Sequence, residues 1–301
     1  YNIPIFFRWY GIWNFPEKLC ISNYLSFKLK PWMALISLIR LNIMRKMLIL
    51  ERPKKVVITE DGAATLKFRE QLLKYIKNSP DLNRTIVLVK NSLPTEEILN
   101  FCWPKQHINI VYISRLVKLK KPCTVIWTLF WLKKKYPALF KKMYFHIVGN
   151  GSEMSRMRRL AEKLGVTPHI TFHGYIKNVD LKDQLKDVCF SLALAVNSHN
   201  PIVEALFSGI PVVANDFGEV KRVFEPLVDI GALHLVDTRS VNFSEKTVGK
   251  AYAFTIANAL NYLEDTERDF PSIIHKKLCT IFPTVEVKVQ QEVGLILELI
   301  N

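Results

Sequence analysis

The sequence predicts an α/β protein of two parallel-sheet units, and three observations carry that reading. Runs at 56–59, 86–89, 108–113, 143–148 and 190–195 are largely apolar, as strands buried on both faces are. Helix-patterned stretches alternate with these runs, the order of βα units rather than of hairpins. The rhythm pauses at 98–104, which reads as a linker, and then restarts. The expected division is a first unit over 1–104 and a second over 105–301, with a final helix that crosses back to the first. A chain of 301 residues, 49% hydrophobic, is long enough to bury both cores.

In the first unit a strand at 3–8 leads to a turn at Tyr10 and Gly11, then a loop rich in Trp, Tyr, Pro and Lys, and a helix over 32–50. A strand at 56–59, a helix over 63–77 and a strand at 86–89 follow. The chain opens on Tyr1 and an interior-looking strand, so the expectation is that part of this unit precedes it. Residues 1–55 carry ten Lys or Arg against Glu17 and Glu51, a composition that could meet an anionic membrane surface. The polar positions of the 32–50 helix do not gather on one face, which favours a core or interdomain helix.

In the second unit the strand at 108–113 feeds the loop 114–121, and Pro122 opens a helix closed by Tyr136 and Pro137. A strand at 143–148, a Gly149-Asn150-Gly151 turn and a helix over 153–164 come next. A strand over 169–172 and a helix over 181–186 precede the strand at 190–195. The stretch 197–218, NSHNPIVEALFSGIPVVANDFG, then reads as a corner, a helix and a strand. Asn200 is the expected N-cap and Pro201 the first helical residue. Glu204 lies one turn further along the same face.

The net charge of +15 points to anionic company: phosphorylated small molecules, a membrane surface or nucleic acid. None of the usual nucleic-acid motifs occurs, and no nucleic-acid partner is expected. The five cysteines are odd in number and lack C-x-x-C spacing, which fits buried thiols in a reducing compartment. No apolar run is long and uninterrupted enough to span a bilayer.

Three constellations could carry chemistry. Arg115 and Lys120 follow the end of a strand, where open α/β sheets bind ligands, and Arg and Lys suit a diphosphate. A solvated basic face is the alternative. The turn at Gly149 lacks the third glycine of a dinucleotide fingerprint. It is either a close backbone approach to a ligand or a plain tight turn. The helix start at 200–204 offers amides to phosphate and Glu204 to hydroxyls such as a ribose diol. The histidines show no metal-ligand spacing, and neither a P-loop nor a G-x-S-x-G elbow is present.

Taken in order, IVYISRLVKLKKP, YFHIVGNGSEMSRMRRLAEKLGV, ITFHGYI and NPIVEALFSGIPVVANDFGEV resemble the donor-binding half of the retaining GT-B glycosyltransferases, specifically the family 4 (group 1) type. The match covers about 108–225, and VVITEDGA and LVKNSLPTEEI resemble segments of the acceptor-side half. The resemblance implies an α/β GT-B architecture, two Rossmann-like domains facing a cleft, with the N-terminal one truncated. It implies that Arg115 and Lys120 neutralise a donor diphosphate and that Glu204 contacts the ribose. Amides around Asn200, Pro201 and Ile202 would hold phosphate and sugar, with Tyr175 and Ile176 near the base. Two departures stand out. Val196 occupies the place of a sugar-binding glutamate, so Asn197, Ser198 and His199 would have to substitute, and Tyr10 stands where a histidine is frequent.

The implied activity is transfer of a sugar from a nucleoside diphosphate donor with retention, in polysaccharide or glycolipid synthesis. No Asp-x-Asp element is present, so neither a metal nor another cofactor is expected. The expected partners are the nucleotide-sugar donor, a glycan or lipid-linked acceptor and an anionic membrane, with a cytoplasmic location at its inner surface. The alternative is a non-catalytic nucleotide-binding relative with a regulatory or scaffold role.

Overall fold

The computed structural model describes residues 6–9, 55–60, 86–104, 106–194, 199–216, 218–238, 244–264 and 269–300. The chain divides into two compact units, Tyr1–Asn91 with Glu286–Asn301, and Ser92–Val285. The helices expected at 32–50 and 63–77, and the turn at Tyr10, lie outside the described residues.

Among its described residues the first unit holds a three-stranded parallel sheet of β1 (Phe6–Trp9), β2 (Lys55–Glu60) and β3 (Ile86–Lys90), in that order. Phe7 pairs with Val56 and Ile58 with Leu88. Val57 and Val89 are buried, as apolar parallel strands require.

The second unit is a six-stranded, wholly parallel sheet. Its strands are β4 (Ile108–Ile113), β5 (Met143–Val148), β6 (Ile170–Gly174), β7 (Val188–Ala193), β8 (Val212–Asn215) and β9 (Leu233–Val236). Their spatial order is β6-β5-β4-β7-β8-β9. The chain winds outward from β4 to β6, returns to lay β7 against β4, and winds outward the other way. Strand order therefore reverses between β4 and β7, and that is where a doubly wound sheet leaves a crevice at its carboxyl edge. All six residues of β7 are buried, which makes it the centre of the core.

The helices of this unit are α1 (Cys123–Lys135), α2 (Pro137–Phe140), α3 (Met154–Leu164), α4 (Asn178–Gln184), α5 (Asn200–Phe207), α6 (Val220–Val223), α7 (Glu225–Asp229), α8 (Glu245–Glu264) and α9 (Phe270–Ile281). A last helix, α10 (Val285–Ile300), groups almost wholly with the first unit. In α3 the inward residues Met157 and Ala161 sit four apart, one turn of a single face. Helices α1 and α8 approach closely at Gly249, where an added Cβ would lie 2.6 Å from the Trp127 Cβ and 2.9 Å from the Thr128 amide nitrogen.

Three local expectations change. Thr167–His169 form a 3₁₀ turn around Pro168, so β6 starts at Ile170 rather than 169. Helix α4 begins at Asn178, three residues earlier than expected, and stops when Leu185 turns extended. Residues 98–104 are not a loose linker. Leu99 is 1% exposed, the Cys102 amide donates to the Val188 carbonyl, and the Val188 amide donates to that of Asn100. Leu99 and Phe101 give this stretch enough apolar surface to close the sheet's flank rather than hang between units.

Candidate functional site

The loop after β4 is held by backbone bonds to the turn after β5. The Ser114 amide donates to the Val148 carbonyl at 3.0 Å, the Leu116 amide to Asn150 at 2.9 Å, and the Glu153 amide to Leu116 at 2.9 Å. Gly149 makes this stitching possible. Its φ is +128°, and a Cβ there would stand 1.8 Å from the Ser114 carbonyl oxygen. Its amide donates to the Gly174 carbonyl at 2.6 Å. The structure shows a close approach of this turn to the neighbouring loop, so Gly149 holds the backbone that carries Arg115 in place.

On this fixed backbone Arg115 is exposed and Lys120, at the end of a 3₁₀ turn over Lys118–Lys120, is half-buried. Burial pushes the Lys120 ammonium below its ordinary pKa, and the Arg115 charge pushes in the same direction. The two cations therefore feel one another. Neither forms an ion pair with a described carboxylate. The nearby acids are engaged elsewhere: Arg156 takes Glu153 at 2.7 Å and Glu245 at 2.6 Å. An anion placed between Arg115 and Lys120 would relieve their repulsion, and partial desolvation would strengthen its hold.

Across the reversal point, β7 leads to α5. The N-cap of α5 is His199, not Asn200, because His199 already has φ −93° and ψ 0°. Its carbonyl accepts the amides of Ile202 at 2.9 Å and Val203 at 3.0 Å. Asn200 is thus the first helical residue, followed by Pro201. Pro201 has no amide proton, and that of Ile202 is already donated, so these two positions have little to offer a phosphate.

His199 is 2% exposed, and neither ring nitrogen has a hydrogen-bond partner. Its ring meets Phe224 edge-on at 5.4 Å. Burial pushes its pKa down to about 4, so the imidazole is neutral at neutral pH. Val196, Asn197 and Ser198 lie outside the described residues.

Glu204 is half-buried, and desolvation raises its pKa. It lines a recess with Ile98, Leu99, Ile113, Ser191, Pro201 and Ala205. Ile113 closes β4 two residues before Arg115, so Glu204 and the cationic loop flank the same strand end. The sequence reading missed the other wall. Ile98 donates its amide to Ser208 Oγ at 3.1 Å, and Ser208 Oγ donates to the Glu204 carbonyl at 3.0 Å, which fastens 98–99 to α5. The apolar pair Ile98-Leu99 was the available signal.

Tyr175, 75% exposed, and buried Ile176 follow β6 at the sheet's outer edge, two strands from β4. Behind the loops, Tyr252 Oη donates to the Ala193 carbonyl at 3.0 Å and ties α8 to the end of β7. His146 Nδ1 lies 3.0 Å from His173 Nε2, and His146 Nε2 faces Asn109 Oδ1 at 3.4 Å, a polar knit between strands. Among the described residues no three His, Cys, Asp or Glu side chains cluster for a metal.

Residues 100–245 match the family model described as glycosyl transferases group 1. No curated protein matches the chain. Among solved structures, the chain is similar to the pneumococcal O-GlcNAc transferase GtfA in complex with UDP and GlcNAc, with 16% identity over 85% of this chain and 47% of that one and a TM-score of 0.59. A structure of S. aureus TarM containing fondaparinux, alpha-GlcNAc-glycerol and UDP gives 16% identity over 84% and 45%, with a TM-score of 0.55. A glycosyltransferase from Rickettsia africae gives 14% identity over 98% and 70%, with a TM-score of 0.64. The chain spans less than half the length of GtfA and TarM. The fold is therefore the GT-B fold of these glycosyltransferases, and residues 100–245 match the model of the group 1 glycosyl transferases.

Proposed function

We propose that this chain transfers a sugar from a nucleoside diphosphate-sugar to an acceptor hydroxyl with retention of configuration and without a metal ion, in polysaccharide or glycolipid synthesis. The observation that carries this is Arg115 beside partly desolvated Lys120, on a locked loop at the strand-order reversal, with half-buried Glu204 at the same strand end. As the bond from the anomeric carbon to the diphosphate oxygen breaks, negative charge grows on the leaving group. Two cations on a held backbone stabilise that charge more than they stabilise the intact donor, which is the requirement for catalysis. Glu204 accepts hydrogen bonds from the donor's ribose hydroxyls and sets its register.

UDP is the first nucleotide to test, because the GtfA and TarM structures contain it. The acceptor is a glycan or a lipid-linked sugar, and the work is done at the cytoplasmic side of a membrane. The deciding experiment offers a panel of UDP-sugars and follows product by ¹H NMR. An axial donor linkage should give an axial product, unchanged after EDTA treatment. An equatorial product, or activity restored only by Mn²⁺, would overturn the reading.

Val196 and Tyr10 favour a second reading, a relative that binds nucleotide without turnover. It predicts UDP binding and neither transfer nor donor hydrolysis across the panel.

A further inference from the structure

We propose that the outer face of α1 and α8 docks this protein on an anionic lipid surface. On α1, Trp127, Phe130, Trp131 and Lys134 fall at helical spacing along one face. On α8, Lys246, Lys250 and Phe254 sit four apart along another. The two stripes meet. Trp131 Nε1 donates to the Lys246 carbonyl at 3.0 Å, Lys246 Nζ stands 5.4 Å over the Trp127 ring, and Lys250 Nζ stands 5.6 Å over Trp131. Lys134 Nζ adds a third ammonium, 5.5 Å from the Trp131 ring.

Trp127, Phe130 and Trp131 are half-buried and Phe254 is 58% exposed. Single exposed aromatics are ordinary, whereas three partly exposed rings in mutual contact, overlain by lysines, form a patch that calls for an occupant. Along both stripes the charge has one sign. No Asp or Glu occurs between residues 98 and 152 or between 246 and 263, and the nearest, Glu245, is held by Arg156. Indole and phenyl rings rimmed by lysines make the composition of a helix face lying in the interface of an anionic bilayer. The ammonium groups reach the head groups while their stems and the rings sit lower.

Single-stranded nucleic acid is the other polyanion such a patch could take, but it needs open ring faces for its bases. Here Trp127 and Trp131 each carry an ammonium over the ring, and Phe130 stands edge-on between them at 5.6 and 5.3 Å. The rings are arranged to shed a base and to accept head groups.

The test is flotation of the whole chain with vesicles of phosphatidylcholine, with and without phosphatidylglycerol. The chain should float only with the anionic vesicles, fall off in high salt, and show a blue-shifted tryptophan emission quenched by brominated lipid. Lys134→Glu/Lys246→Glu/Lys250→Glu should lower the partition coefficient about 100-fold or more. The triple arginine variant should restore binding, and Lys276→Glu/Lys277→Glu on α9 should leave it unchanged. Three results would overturn the proposal: no flotation of the parent chain, flotation of the triple glutamate variant like the parent, or loss of oligonucleotide rather than vesicle binding in that variant.

Discussion

Two clusters of positive charge on the second unit sit in opposite surroundings. Arg115 and Lys120 stand at the carboxyl edge of the sheet, on a loop whose backbone is bonded to the next turn, and Glu204 lines a recess at the end of the same strand. Lys134, Lys246 and Lys250 lie on a helical face, spread over tryptophan rings, with no acid among them. The first arrangement brings two charges to one strand end, where a small polyanion fits. The second spreads three ammonium groups along a helical face, the arrangement that meets a surface. Charge alone distinguishes neither; the place in the fold and the company of the side chain do.

The comparison is broken most severely by Gly149→Ala. A methyl group 1.8 Å from the Ser114 oxygen, at φ +128°, forces the two loops apart. Such a change should cost several kcal/mol, about 3 or more, seen as a lower melting temperature together with lost nucleotide binding. Vesicle binding measured below the new transition should survive, since the added methyl group meets the Ser114 backbone and not the outer face of α1 and α8.

Arg115→Ala should lower kcat about 10²–10³-fold, as removal of a charge-stabilising group does, with vesicle flotation unchanged. Glu204→Gln should weaken nucleotide binding about tenfold and remove one pH dependence. Its burial raises the carboxyl pKa, so the stability it contributes is present below the ordinary carboxylate range and lost as pH rises through the folded-state value. Melting curves of the Gln variant should lack that component.

His199→Phe gives the smallest effect and the sharpest sign. The folded-state pKa lies near 4 against 6.5 for a free imidazole, so the unfolded chain takes up the proton first. Stability from this group is full above 6.5 and is lost as pH falls toward 4. The Phe variant, packed on Phe224, should show a shallower loss of melting temperature over that range. His234, also pushed down to about 4 by burial, leaves a residual slope.

Much of this was legible in the residues. The buried strands announced themselves as runs of Val, Ile and Phe, and the strand-loop-helix order around Arg115 and Glu204 put both at one sheet edge. Four things were not legible, three of them because the cause is non-local. The cap of α5 moved to His199 through a backbone angle that no side-chain preference records. Gly149 serves the Ser114 carbonyl, a neighbour 35 residues back in the chain that only the sheet register brings near. The wall at Ile98 and Leu99 depends on Ser208 more than a hundred residues later. The aromatic face of α1 and α8 needed both helices in place before its lysines and rings came together.

The central claim is that Arg115 and Lys120 hold a nucleoside diphosphate. Calorimetric titration of UDP and GDP into the parent chain and into Arg115→Ala/Lys120→Ala tests it most directly. The account predicts saturable binding of at least one of them by the parent, weakened about 100-fold or more in the double variant. Equal affinity in the two proteins, or no binding of either nucleotide by the parent, would contradict it.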